Sequence, residues 1–477
     1  MNKVVVLNVV GLSGRLLGEH TPRLSQLVSA GSRHVLDTIA PAVTCSVQAS
    51  LMTGTLPKEH GVVGNGWYFR DLSEVALWRQ SAALYSGERI WEAAKRIDPS
   101  FTCAKVFWWY NMYDTADFAV TPRPMYPADG RKLPDIWASP GPLREELNGK
   151  LGQFPLFNFW GPRADLKSSA WIAESAKHLL HTRAPTLSLV YLPHLDYCLQ
   201  KYGPDDPAII PHLREIDTLC GSLIDDFTSQ GARVLVLSEY AITAVSSAVH
   251  INRALREAGL IAIREEMGLE LLDAGASDAF AVADHQIAHV YVKRPERITE
   301  VKKLLEALPG VASVLDEEGK RAVGLNHPRS GELVALAQTD RWFSYYYWLN
   351  DNRAPDFARC VDIHRKPGYD PVELFFDPKL SLLPLRVAFK LLKKALGFRT
   401  LLDVIPLDAS LVRGSHGLVH NDPRDCPVLL SSEPLELPER IHATDFKRIV
   451  LQSLFGRSHA DSANTSPTID RLGGKSA

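Results

Sequence analysis

The chain has 477 residues, with 53 Lys and Arg against 55 Asp and Glu, so its formal charge is −2 with His neutral. Such a balance excludes attachment to a nucleic-acid polymer or an anionic surface through bulk charge, and leaves any phosphate chemistry to local devices. Hydrophobic residues at 45% and charged residues at 23% exclude collagenous, disordered and multi-span membrane classes.

Residues 4–10 (VVVLNVV) form an apolar, β-branched run closed by Gly11, the pattern of a central strand buried on both faces. A Thr-Pro start opens a helix over 21–30. Pro41 then ends a strand, and the chain turns at Thr44 into a helix running through residues 46–51. The stretch from Trp67 to Trp171 carries eight of the ten Trp and forms either an aromatic wall of a substrate cleft or a well-packed insertion. A helix over 171–180 precedes a strand over 186–192 that ends at Pro193. A helix over 209–228 precedes a strand over 233–237 that leads into Ser-Glu-Tyr. Residues 280–340 read as strand, helix, strand, strand, a small α+β insert. From Leu380 to Phe398 the chain, reading SLLPLRVAFKLLKKALGF after Leu380, forms a basic amphipathic helix, a surface helix with a second reading as peripheral membrane contact. Residues 456–477 are polar and read as a disordered tail.

Strands alternating with helices predict an α/β fold: a three-layer α/β/α sandwich with a mostly parallel sheet and a small α+β insert, in one domain over 1–455. In such sheets chemistry gathers at the carboxyl ends of the strands. The six Cys are scattered without CxxC spacing, as in a reduced protein. The short N-terminal apolar run lacks a signal-peptide cleavage site, and no window approaches the roughly 20 apolar residues of a membrane span. Both favour a cytoplasmic location.

The sharpest local signal is residues 41–69, PAVTCSVQASLMTGTLPKEHGVVGNGWYF. A hydroxyl at a helix N-terminus lies beside free backbone amides and the positive end of the helix dipole, so Thr44 could face a phosphate or serve simply as a cap. These residues resemble the nucleophile segment of the type I phosphodiesterases and nucleotide pyrophosphatases of the alkaline phosphatase superfamily. The resemblance rests on Pro41-Ala-Val-Thr44, TGTLPKEHG at 53–61 and Asn65. It continues through YLPHLDYCLQKYGPDD at 191–206, VLVLSEYAIT at 234–243, ADHQIAHVYV at 283–292 and VRGSHG at 412–417. It implies an alkaline phosphatase-like fold and two divalent metals, usually zinc, that bind the Thr alkoxide and the substrate phosphate. It further implies a two-step transfer in which Thr44 is the nucleophile and Asn65 orients a phosphate oxygen.

The family's ligand pattern is altered at four of six positions. Val10 stands for the opening Asp, Gln200 for the His paired with Asp196, and Glu239-Tyr240 for an Asp-His pair. Asp196, Glu239 and His416 remain as metal candidates, which favours one ion over two, Zn or Mn. Gln200 or His194 could complete that set. A rebuilt site drawing on His194, His285, His289 or His364 is the second possibility. The expected function is a metal-dependent hydrolase of small phosphoric esters or nucleotide-like substrates, with diesters or pyrophosphates ahead of monoesters. The alternatives are a catalytically silent binding protein on the same fold and a phosphonate or sulfate ester hydrolase.

Overall fold

A computed structural model describes residues 1–398 and 400–456. Its centre is a nine-stranded sheet. From one edge to the other the strands are Arg440–His442, Ser32–Asp37, Val428–Ser431, Ala232–Leu237, Lys3–Val9, Leu187–Leu192, Cys103–Val106, Phe118–Pro122 and Ile136–Ser139. The central neighbours are parallel, with Val6 opposite Leu189 on one side and Leu235 on the other. Val428–Ser431 and Ile136–Ser139 run antiparallel to their neighbours.

The apolar run at the N-terminus is central because both of its faces are covered. Val5, Leu7 and Val9 point into a core with Leu24, Ile172, Leu179, Leu213 and Leu223, contributed by three helices. Val4 and Val6 point the other way, into a core with Trp91, Val47, Leu51, Ile449 and Val450. Period-two alternation between two apolar layers produces the α/β/α sandwich. The aromatic-rich stretch supplies three strands of the main sheet, so it is built into the sandwich and is not a peripheral insertion.

A second sheet packs beside the first. It is antiparallel, in the order Ala279–Asp284, Ile287–Val292, Leu333–Ala337 and Val311–Leu315, and carries the helix Ile298–Glu306. Asp284 pairs with Ile287, which leaves a two-residue turn of His285 and Gln286. His285 takes a φ of 63° there, a left-handed conformation that costs a β-carbon-bearing residue free energy and suits Gly or Asn better. The turn is held by a Gln286 amide donating to His416 O at 2.9 Å and a Tyr369 amide donating to Ala283 O at 2.9 Å.

Among the described residues no helix is long and apolar enough to cross a membrane. The tail expected to be disordered lies beyond residue 456, outside the described residues.

Candidate active site

The main-sheet strands Lys3–Val9, Leu187–Leu192 and Ala232–Leu237 lead at their carboxyl ends into Val10, Asp196 and Glu239, and the turn of the second sheet brings His285 onto His416. The helix Thr44–Thr53 is buried along its whole length. It stops at Gly54, which adopts φ 72° and lets the chain turn back without a β-carbon clash. Thr44 Oγ1 is 3.0 Å from the Tyr240 hydroxyl, and that phenol donates to Asp196 Oδ1 at 3.4 Å. Asp196 sits in the first turn of the helix His194–Tyr202, and its Oδ2 accepts from Gln200 Nε2 at 2.9 Å. Gln200 Oε1 in turn accepts from the Tyr369 hydroxyl at 2.9 Å.

Four rings form a continuous pile behind these groups. Tyr240 stacks on His416, His416 on His285 and His285 on Tyr369, with 3.6 Å between centroids at each step. His416 Nδ1 bonds Ala42 O at 2.8 Å, which fixes the proton on Nδ1 and leaves a lone pair on Nε2, 3.9 Å from Asp196 Oδ1. His285 Nδ1 bonds Asp284 Oδ1 at 2.8 Å, and its buried Nε2 has no hydrogen-bond partner.

Asn65 bridges two parts of the site. Its Oδ1 accepts from the Cys45 amide at 3.0 Å, in the first turn of the Thr44 helix, while its Nδ2 donates to Asp284 Oδ1 at 3.0 Å. Glu239 lies in a separate pocket, where Oε1 accepts from both Asn8 and Gln48. Gln48 is oriented by accepting the Trp109 amide at 2.8 Å. Glu239 Oε2 is left without a full hydrogen bond.

The electrostatics are unusual. Burial pushes Glu239 up to about 8, opposed by hydrogen bonds from Gln48, Asn8 and Thr44 and assisted by the charge of Asp196. Burial likewise lifts Asp196 to about 7, against hydrogen bonds from Gln200 and Tyr240, and lifts Asp284 to about 6, against those from Asn65. Burial drives His416 and His285 well below the usual imidazole range, so both are neutral. Three buried carboxyl groups thus meet two neutral imidazoles, and no Lys or Arg among the described residues pairs with any of the three. Acids buried in this way either keep a proton or pair with a cation.

The residues do not fit a two-metal centre. Val10 is fully buried in the apolar core, Gln200 turns its amine toward Asp196, and Tyr240 offers a phenol engaged with Thr44. They do fit one cation. Asp196 Oδ1 and His416 Nε2 face each other with the correct tautomer, and the orphaned His285 Nε2 and Glu239 Oε2 are buried donor atoms. Glu239 does not close a ligand triangle with Asp196 and His416. Among the described residues, the group whose ligand atoms all fall within 4.8 Å of one another is elsewhere, at His194, His212 and Glu215.

Thr44, Asn65, Asp196 and His416 are therefore brought together, with Glu239 adjacent in its own hydrogen-bonded pocket. His289 holds structure, bonding Val63 O at 2.8 Å, and His364 sits among Lys132, Arg79 and Arg123. Asp284, Asn8 and Gln48 escaped the motif reading. Asn8 and Gln48 are nonetheless visible as polar residues inside otherwise apolar segments.

The sequence matches the profile of the type I phosphodiesterases / nucleotide pyrophosphatases over residues 4–370. The chain belongs to this family. Phosphodiesterases of this type are generally dependent on divalent metals, and membership points to phosphodiester or pyrophosphate hydrolysis as the class of reaction. Comparison with curated proteins gives no match. Among solved structures the phosphodiesterase fold aligns with murine ectonucleotide pyrophosphatase/phosphodiesterase 5, in an inactive form in complex with AMP. The TM-score is 0.58 at 13% identity, over 95% of each chain. The human form of that protein aligns with TM-score 0.58 at 13% identity, over 95% of this chain and 94% of its own. Phosphonoacetate hydrolase from Sinorhizobium meliloti 1021, in complex with phosphonoformate, aligns with TM-score 0.61 at 14% identity, over 95% and 96%. At these identities the likeness is one of fold.

Proposed function

We propose that the protein hydrolyses a small phosphoric ester, a diester or pyrophosphate ahead of a monoester, with Thr44 as nucleophile. The observation that carries this reading is the placement of the Thr44 hydroxyl. It is buried at a helix N-terminus and held at 3.0 Å by the hydroxyl of Tyr240, the residue after Glu239, whose buried Oε2 has no hydrogen-bond partner. The ionised Glu239 carboxylate is matched to accepting the hydroxyl proton as Thr44 attacks phosphorus and the ester's alcohol leaves with a proton, after which water releases the phosphoryl group from Thr44. The Tyr240 phenol fixes the Thr44 oxygen, while Asn65 ties the first turn of its helix to Asp284 and so sets the direction of the amides facing the substrate.

Asp196 and His416 would hold a single divalent ion, Zn or Mn, whose contribution is to neutralise charge on the transferring phosphoryl group. Trp78 and Trp160 both pack against Tyr369, at 6.1 and 5.6 Å between centroids, and are half-buried. They offer an aromatic flank for a base or another apolar substituent.

The test is hydrolysis of an aryl phosphodiester, an aryl phosphate, an aryl phosphonate and an aryl sulfate, with Zn or Mn added, by wild type and Thr44→Ala. Wild type is expected to act on the diester and the variant to lose activity by a factor on the order of 10³ or more. Equal, negligible turnover by both proteins across all four substrates would favour a silent binding protein instead.

A further inference from the structure

We infer that His194, His212 and Glu215 form a second metal site, independent of the hydrolytic reading, that takes one zinc ion. His212 and Glu215 lie three residues apart on one face of the helix Ile210–Ser229, and His194 opens the neighbouring helix His194–Tyr202. His194 Nε2 is 3.1 Å from Glu215 Oε2 and 3.3 Å from His212 Nδ1, and the last two atoms are 3.5 Å apart. A tetrahedron with zinc–ligand bonds of about 2.0–2.1 Å has edges of about 3.3–3.4 Å, so the three donors already span one of its faces.

Hydrogen bonding alone explains the triangle poorly. A single proton on His194 Nε2 serves two edges and leaves the His212 and Glu215 lone pairs facing each other across the third. A proton on His212 Nδ1 instead leaves the His194 and Glu215 lone pairs facing each other at 3.1 Å, and protons on both imidazoles oppose each other across the 3.3 Å edge. His194 is buried, whereas His212 and Glu215 are partly exposed, so the fourth ligand position opens to solvent. Asp196 lies two residues along the same helix and faces Tyr240 and His416, so an ion here would pin the start of the helix that carries it.

The test uses full-length protein stripped with chelator and dialysed against zinc. Wild type should hold one more zinc per chain than His212→Ala/Glu215→Gln, while Asp196→Asn should keep that ion. Cobalt in its place should give the visible d–d bands of a tetrahedral site in wild type and in Asp196→Asn. Equal zinc in wild type and the double variant, or loss of the ion on Asp196→Asn alone, would overturn the site.

A different observation concerns the helix Leu383–Ala395. Leu383 and Val387 pack against the second core. At 3.6 residues per turn, Leu385, Phe389, Leu392 and the following Leu396 fall on the opposite side. They are exposed by 65, 57, 56 and 67%. The helix is therefore anchored by one apolar stripe and presents another to solvent, which folding of the chain does not require. Residues 379–402 contain six Lys or Arg and no Asp or Glu, and although Lys390 pairs with Asp403 just beyond them, the segment is a local basic block in a chain of net charge −2.

We propose that this stripe docks on an anionic lipid surface, its apolar side chains entering the headgroup boundary and its cations meeting lipid phosphates. Wild type should co-sediment with vesicles of phosphatidylcholine mixed with phosphatidylglycerol, and far less with phosphatidylcholine alone. Leu385→Glu/Phe389→Glu/Leu392→Glu should bind at least about tenfold more weakly, with an unchanged circular dichroism spectrum. Wild type remaining in the supernatant would overturn the proposal. So would light scattering that shows a dimer split by the triple substitution, since the stripe would then join two copies of the chain.

Discussion

Glu239→Gln tests the electrostatic core of the site. Glu239 is fully buried, accepts from Asn8 and Gln48 through Oε1, and has no cationic partner, so folding holds its proton. Burial raises the group from 4.5 to about 8. The folded state therefore binds a proton that the unfolded chain releases, and stability falls as pH rises between those values. At about 1.36 kcal/mol per pH unit, the loss approaches ~3 kcal/mol at pH 7 and ~5 kcal/mol above pH 8, both upper bounds. Glutamine keeps the Oε1 acceptor and cannot ionise, so the variant escapes the loss. Denaturant midpoints of both proteins at pH 5 and pH 8.5 read the effect, because Asp196 and Asp284 titrate in both and cancel in the comparison. The variant should gain on wild type by roughly 2–4 kcal/mol between the two pH values. A gap that is the same at both would mean that Glu239 is already ionised in the folded protein at low pH, and the proton-acceptor role would fall with it.

In the hydrolysis assay, activity should climb with pH through about 8, since Glu239 must be ionised to accept the Thr44 proton, and Glu239→Gln should remove that limb of the profile. Tyr240→Phe keeps the ring stacked on His416 and removes the hydroxyl that holds Thr44. The expected result is a ~10- to 100-fold fall in kcat with little change in melting temperature, and a fall in both would indicate a structural role instead. Val10→Asp would bury a carboxylate in an apolar core at a cost of several kcal/mol unless an ion joins it. Its melting temperature should therefore recover with added zinc, and recovery with chelator present would refute a latent ligand position.

Much of the architecture was legible from residue order. The run at residues 4–10 suited a central strand, because seven consecutive residues with one polar side chain leave no face for water. The alternation of such runs with helical patterns implied layers and a parallel sheet, with chemistry at the strands' carboxyl ends. The motif spacing placed Thr44, Asn65, Asp196 and His416 in one family, and the fold brings them to one place.

What sequence could not settle was which polar atoms would find partners once water was removed. Glu239 reads as a ligand in its motif, yet Asn8 and Gln48 converge on it from a strand and a helix far away in the chain and turn it into a buried acid. His285 reads as a strand residue, yet a two-residue turn swings it onto His416 and Tyr369. The aromatic stretch reads as an insertion, yet three of its segments complete the main sheet. Periodicity and motif spacing are local and survive in a single sequence. The pKa of a carboxyl, the tautomer of an imidazole and the company of a hydroxyl depend on contacts between segments hundreds of residues apart, and only the folded chain decides them.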